Sequence, residues 1–499
     1  MMNKNIFRAY DIRGNANTDL TDDVVIKIGL ILGRLVTKYG DRKIYLGYDS
    51  RLSADRIKTS LIRGLNAAKV EPVLLGLVPT PLLYYATKVG EVKHGVMITG
   101  SHNPKDDNGF KMVINDLPVS GEEILASMNK DNDFNATEDK CSEVDFSERY
   151  VDEIKSQVLI KGKPRVILDP GNGASGPLAE KLFKKLNLDF EIINIIPDGS
   201  FPNHHPDPSK EKNLDQIYSK IITKNFDYGF AFDGDGDRVA LITKTQKIIF
   251  SDTLVMVLAK KYLEELGKGS IVYDVKCSDD LAKLILKYGG TPIMEKTGHF
   301  NIKRSLKSHN AILGGEMSGH IFINHNWYGF DDALYTAVKL IEIFSSDGKP
   351  VDEIIKGMMS SCATPELNLN IKENQKFSFI EKFKKEMNFD DAKISEIDGI
   401  RVSYENSWGL LRASNTSPKL VLRFEGKNMN EMEFIKSKFE ENLKRIFPEI
   451  NLNYHWTYWT NKSSRFSSRK NSKILLSKVF DTVPFVLLIR TTAIFSGIT

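Results

Sequence analysis

Residues 43–104 read KIYLGYDSRLSADRIKTSLIRGLNAAKVEPVLLGLVPTPLLYYATKVGEVKHGVMITGSHNP. A short apolar run from Lys43 to Gly47 is followed by a helical pattern from Ala54 to Lys69 and a second run from Pro72 to Val78. A second helical pattern from Pro81 to Lys88 and a third run from His94 to Thr99 complete the stretch. Strand-length apolar runs alternating with longer helical periods are the pattern of βαβ units around a largely parallel sheet. The last run ends on Thr99-Gly100-Ser101-His102-Asn103-Pro104, at the carboxyl end of a strand, where α/β folds present functional loops.

The rhythm returns twice. A second stretch opens on Arg165 to Leu168, breaks at Gly171 and Gly173, continues through helical patterns near Leu178 to Leu186 and Leu214 to Thr223, and reaches a strand at Tyr228 to Phe232. A third has helices at Thr253 to Leu266, Asp280 to Tyr288 and Asp331 to Phe344, with strands at Ser270 to Val275 and Ile312 to Leu313, the last followed by a Gly-rich loop. From Glu366 to Phe447 the order changes to strands such as Leu367 to Ile371 and Leu420 to Phe424 with helices at both ends. The expected fold class is α/β: three consecutive mixed-sheet βαβ-type domains plus a smaller C-terminal α+β domain. The expected divisions are 1–146, 147–246, 247–358 and 359–454, followed by a basic and then apolar tail over 455–499.

At 499 residues, 41% hydrophobic and 27% charged, the chain has material for several buried cores. Its formal charge of +4 conceals an asymmetry, because residues 455–499 hold seven Lys and Arg against Asp481 alone. That local +6 leaves about −2 for residues 1–454, which argues against general nucleic-acid binding by the body. Cys141, Cys277 and Cys362 are far apart and odd in number, so neither a disulfide framework nor a CxxC zinc site can be written. The amino-terminal MMNKNIFRAYDIRG has no apolar run behind its charges, which predicts neither a secretory signal nor a transit peptide and makes the cytoplasm the expected compartment. Val479 to Phe495 is apolar but interrupted by Asp481, Pro484 and Arg490, too short and too charged to span a membrane, and the tail receives no role.

Four loops carry chemistry. In the first, Gly100 lets the backbone bend close to a ligand and the Ser101 hydroxyl could hold a phosphoryl group; the competing reading is a turn in which Ser101 and Asn103 bond their own backbone. The second, Asp233-Gly234-Asp235-Gly236-Asp237-Arg238, can turn three carboxylates onto one hard cation, naturally magnesium. A calcium loop of the EF-hand kind would need Gly at its sixth position and Glu at its twelfth, where Arg238 and Lys244 stand, and a solvated acidic turn is the other alternative. The third, Gly314-Gly315-Glu316-Met317-Ser318-Gly319-His320, offers hydrogen-bonding groups suited to sugar hydroxyls, or is an ordinary turn. The fourth, Arg412-Ala413-Ser414-Asn415-Thr416-Ser417-Pro418, could cradle a dianionic phosphate, or be a polar hairpin.

In this order and at these separations, with Phe7-Arg8-Ala9-Tyr10-Asp11-Ile12-Arg13-Gly14 near the start, the motifs resemble the α-D-phosphohexomutase superfamily over roughly residues 5–450. The GEMSG form of the third loop resembles its phosphomannomutase/phosphoglucomutase branch. The resemblance implies that Ser101 carries phosphate with His102 beside it, and that Asp233, Asp235 and Asp237 bind Mg2+ together with Ser101. It implies that Tyr10, Arg13 and Lys111 line the catalytic cleft and that Arg238 contacts the phosphoserine. Lys276 and His299 match substrate-contacting positions. Glu316 and Ser318 would hold the sugar's 3- and 4-hydroxyls, and Arg412, Ser414, Asn415 and Thr416 the phosphate already on the substrate. Four domains would meet at one central cleft.

The implied reaction interconverts a hexose 1-phosphate and a hexose 6-phosphate, of mannose or glucose, through a hexose 1,6-bisphosphate intermediate that must turn over in the site. A proton acceptor is needed; the candidates are His320, Lys111 and Arg13, and of these residue types only histidine ordinarily titrates near neutrality. The expected partner is a hexose phosphate, with neither nucleic acid nor membrane, on a monomer or weak homo-oligomer. A phosphoglucosamine mutase and a non-catalytic sugar-phosphate-binding protein are the alternatives, the latter disfavoured because a binder needs no phosphate-carrying serine.

Overall fold

The structure, a computed structural model, describes residues 2–128, 139–415 and 417–452; Thr416 and the tail from 455 onward lie outside them. Four sheets follow one another along the chain. In the first, Ile12–Asn15, Asp107–Ile114, Gly95–Ile98, Lys43–Tyr48, Glu71–Leu77 and Ser142–Glu143 lie side by side in that order. The second runs Val239–Thr243, Tyr228–Phe232, Arg165–Asp169, Asp189–Ile192, and the third Thr291–Glu295, Ser270–Asp274, Leu313–Gly315, Ile321–Ile323. The fourth is antiparallel throughout, with Ser407–Ala413 and Lys419–Gly426 at its centre.

The first three sheets are mixed, as expected, and the placement of their antiparallel strands matters for function. Each motif loop is a short link between two neighbouring antiparallel strands. Ile98 leads through residues 99–106 into Asp107–Ile114, Phe232 through 233–238 into Val239–Thr243, Gly315 through 316–320 into Ile321–Ile323, and Ala413 through 414–418 into Lys419–Gly426. A parallel return would need a crossover of a dozen residues or more, whereas links this short turn the chain straight back. The apolar pattern does not predict these reversed strands in the first three units.

Gly314 and Gly315 were expected in the third loop, but they end the strand Leu313–Gly315. A Cβ at Gly314 would lie 2.5 Å from Leu306 Cδ1 and one at Gly315 2.2 Å from Val255 Cγ2, so the two glycines let helices press on both faces of the sheet. The loop proper therefore starts at Glu316.

Around the first sheet, the helix Asp22–Thr37 buries Val25, Ile28, Leu32 and Val36, a spacing of three and four that puts them on one face. They join Leu61, Leu65, Ile98 and Phe110 in one core, each such aliphatic contributing roughly 1.5–3 kcal/mol. The fourth sheet has its own core, with Phe424 and Leu411 against Ile435 and Phe439 of the helix Met429–Ile446. Among the described residues no helix is long and apolar enough to cross a membrane.

Candidate active site

Ser101 is fully buried, with its backbone in the left-handed region at φ 51°. A residue with a side chain is held there only by its surroundings. Its N–H donates to Thr99 Oγ1 at 2.8 Å, and its Oγ donates to Asp233 Oδ2 at 2.6 Å and lies 3.1 Å from His102 Nδ1. The first loop is thus pressed against the second. Asp233 Oδ1 accepts the N–H groups of Asp237 and Arg238, both at 3.1 Å, which closes the acidic loop on itself.

Asp233, Asp235 and Asp237 are fully buried, with one oxygen from each within 4.8 Å of the others. Lys111 stands among them, Nζ donating to Asp235 Oδ2 at 2.6 Å and to Asp237 Oδ2. Burial weakens the hold of Lys111 on its proton, but Asp235 and Asp237 outweigh burial and keep the ammonium above its ordinary range. Burial also opposes ionisation of Asp235, and Lys111 overcomes it, keeping that carboxyl below its usual range. At Asp233, burial and the two neighbouring carboxylates act together and push the carboxyl well above it. Asp235 Oδ1 and Asp237 Oδ1 are buried without a hydrogen-bond partner. Three hard oxygen donors at alternate residues, two with an unshared buried oxygen, fit a hard divalent cation. A second cluster of Asp237, His320 and Asp331 fits one poorly, because Lys303 Nζ lies 2.6 Å from Asp331 Oδ1 and already neutralises it.

His320 Nε2 accepts the Arg238 Nε–H at 2.9 Å, which leaves the ring proton on Nδ1, 3.0 Å from Asp331 Oδ2. Burial would raise the Asp331 carboxyl, but Lys303 and then His320 hold it well below the usual range. Arg238 Nη1 also lies 3.4 Å from His102 Nε2. Burial, reinforced by Arg238, drives His102 well below its ordinary range, so its ring is neutral. Arg13 donates through Nε to Asp11 Oδ2 at 2.6 Å and through Nη1 to Asn103 Oδ1 at 3.1 Å; Asp11 outweighs burial and raises its affinity for the proton.

On the far side, Glu316 Oε2 accepts from Gly298 N–H at 3.2 Å and Ser318 Oγ at 3.3 Å, while its Oε1 and both ring nitrogens of His299 are buried without partners. Lys276 Nζ lies 2.6 Å from Glu366 Oε1, and Arg412 Nε donates to Asp398 Oδ2 at 2.8 Å. Ser414 Oγ is 2.9 Å from Ser417 Oγ. The fourth loop reaches the first sheet through Tyr10, whose hydroxyl donates to Thr297 O at 2.7 Å and accepts from Asn415 Nδ2.

These groups surround one cleft of about 850 Å³. Of the residues singled out in the sequence, Tyr10, Arg13, His102, Arg238, Lys276, His299, Glu316, Ser318, His320, Arg412, Ser414 and Asn415 line it. Ser101, Lys111 and the three aspartates are fully buried behind that lining, and Thr416 lies outside the described residues. The sequence reading missed Asp331 and Lys303, which support His320, and the run Asp207, Ser209, Lys210 and Lys212, which lines the cleft from the second sheet. The doublet Asp331-Asp332 at a helix start and the polar run after His204-His205 were the available signals.

Comparison with known proteins gives one picture. The α/β/α domains I, II and III of phosphoglucomutase/phosphomannomutase match residues 4–134, 148–246 and 250–362, and the C-terminal domain of that family matches 366–442. A phosphomannomutase/phosphoglucomutase of Pseudomonas syringae is 42% identical over 451 residues, covering 90% of this chain and 97% of that protein. A phosphoglucomutase of Neisseria gonorrhoeae is 40% identical over 456 residues, covering 89% and 99%. The crystal structure of a phosphoglucomutase/phosphomannomutase family protein from Burkholderia thailandensis superposes with a TM-score of 0.84 at 38% identity, covering 91% of this chain and all of that one.

Proposed function

The chain belongs to the phosphoglucomutase/phosphomannomutase family and is a mutase that interconverts hexose phosphates; from that premise we propose that the phosphoryl group travels on Ser101. The observation that carries this reading is the Ser101 hydroxyl, 2.6 Å from a carboxylate of the acidic triad and next to a cleft shared by all four loops.

Asp233, Asp235, Asp237 and Ser101 would hold Mg2+, which when bound withdraws charge from the phosphoryl group. Phosphoserine transfers its phosphoryl group to the free hydroxyl of a hexose 1-phosphate, giving a hexose 1,6-bisphosphate and free Ser101. The bisphosphate turns over, its other phosphoryl group returns to Ser101, and hexose 6-phosphate leaves. Arg412, Ser414, Asn415 and Thr416 dock the phosphate that does not react. The unpartnered Glu316 Oε1, with Ser318 and His299, supplies acceptors and donors for ring hydroxyls, as buried polar atoms require.

His320 is the proton acceptor best supported by the geometry. Its Nε2 would accept the proton once released from the Arg238 Nε–H that it accepts in this structure, and the Asp331 carboxylate, 3.0 Å from Nδ1, would stabilise the ring cation that results. Arg13 and Lys111 instead hold their protons more tightly than usual, through Asp11 and through Asp235 and Asp237. Three free thiols, without a disulfide among them, are in keeping with a cytoplasmic enzyme.

The test is conversion of mannose 1-phosphate, glucose 1-phosphate and glucosamine 1-phosphate with Mg2+ and a trace of hexose 1,6-bisphosphate, alongside intact-mass measurement of the protein. The wild type is expected to convert the first two and carry one phosphoryl group, and Ser101→Ala to do neither. Undiminished turnover by Ser101→Ala would refute the scheme.

A further inference from the structure

Arg51 belongs to none of the four motif loops, yet it sits at the centre of the first. It follows the strand Lys43–Tyr48, and its side chain is 0% exposed. Nη2 donates to the carbonyl oxygens of Ser101 at 2.8 Å and Asn103 at 2.7 Å, and Nη1 to those of Asp107 at 2.7 Å and Pro104. Four backbone acceptors of one loop thus converge on a single planar fork of N–H donors. Nε lies 3.4 Å from Asp49 Oδ2, and that same oxygen accepts from Thr99 Oγ1 at 2.6 Å. Thr99 Oγ1 in turn accepts the Ser101 N–H, so Arg51 and Asp49 between them tie down both the amide and the carbonyl of Ser101. A Cβ at Gly100 would lie 2.4 Å from the guanidinium carbon, so glycine is what lets the loop close around the fork.

We propose that Arg51 is a positioning residue for phosphoryl transfer, holding Ser101 in its left-handed conformation through the carbonyls of the loop so that Oγ stays against Asp233. The proposal rests on Ser101 as the phosphate carrier and adds the device that aims it. Ser101 has no regular secondary structure to fix it, and a misplacement of about 1 Å at a reacting atom lowers rates by about 100-fold. The phosphate dock lies on the fourth loop, whereas the Arg51 guanidinium donates to carbonyls of residues 101–107, so substrate affinity should survive when aim is lost.

The experiment compares wild type, Arg51→Lys and Arg51→Ala by kcat and KM, by amide hydrogen exchange over residues 99–107, and by intact mass. Lysine keeps the charge but concentrates its donors on one atom, which cannot serve carbonyls from Ser101 to Asp107. For both variants the expected result is a kcat about 100-fold lower, a KM within about threefold of wild type, and faster exchange over 99–107. Millimolar guanidinium ion should recover about tenfold of the loss in Arg51→Ala and none in Ser101→Ala. If Arg51→Ala does not fold, Gly100→Ala supplies the same perturbation from the other side and should show the same fall in kcat.

Wild-type kcat in Arg51→Lys, a KM rising as far as kcat falls, or unchanged exchange over 99–107 would overturn the proposal. Absence of any phosphoryl group on Ser101 in the wild type would instead remove the carrier reading. Exchange over 99–107 would then still decide whether Arg51 orders the loop.

Discussion

Lys111 is the internal counter-charge of the acidic triad, and replacing it with Met tests that role without reference to turnover. Its Nζ is 2.6 Å from Asp235, and both groups are buried, so solvent screening does little to weaken the pair. Removing one partner of such a pair leaves an uncompensated buried charge and costs about 3–5 kcal/mol. Asp233, whose carboxyl burial and its two neighbours already push well above the usual range, can take up a proton and offset part of this, which favours the lower figure. At roughly 2–4 °C per kcal/mol for a domain of this size, the metal-free Tm should fall by about 6–12 °C. A divalent cation placed among the same oxygens restores the missing charge, and a ligand at 100 times its Kd stabilises by about 2.7 kcal/mol. Saturating Mg2+ should therefore raise the Tm of Lys111→Met by more than it raises that of the wild type. The assay is thermal unfolding after chelation and again after Mg2+ titration. Equal losses of Tm with and without Mg2+ would refute the reasoning, since Lys111 would then be ordinary packing.

Asp331→Asn should lower kcat by roughly 10- to 100-fold with little change in KM, because it removes the negative charge 3.0 Å from His320 Nδ1 that would stabilise the protonated ring; steady-state kinetics decide this. Asp332 accepts from Tyr150 OH and from the Tyr335 N–H at 3.0 Å, and burial pushes its carboxyl up to about 7. A carboxyl raised on folding favours the folded state most at low pH, and that contribution is lost as pH climbs from about 4 to about 7. Asp332→Asn keeps the acceptor without the charge, so its stability advantage over wild type, measured by thermal unfolding, should grow between pH 5 and pH 8 towards an upper bound of about 4 kcal/mol. Gly298 has φ 126°, and a Cβ there would lie 2.6 Å from Tyr10 Cζ. Gly298→Ala should therefore cost about 1–3 kcal/mol and raise KM by displacing Tyr10 from Thr297 and Asn415, as measured by Tm and steady-state kinetics.

The amino-acid sequence was enough to determine the α/β class, the four chemistry-bearing loops and the residue types within them. Those are local properties: Tyr228–Phe232 is apolar at strand length, and Asp233, Asp235 and Asp237 alternate with glycines whatever lies around them. Asp331 was beyond its reach, because a carboxylate 11 residues past His320 means nothing until the chain turns back after Ile323 and Asp331 bridges Phe322. The same holds for Arg51, whose four carbonyl partners lie 50 to 56 residues away and attract it only through backbone groups that every sequence has. Charge state was likewise a tertiary decision. Asp233 and Asp235 are the same residue type two positions apart, yet burial and two neighbouring carboxylates push one carboxyl up while Lys111, with Thr80 and Arg13, overcomes burial and holds the other down.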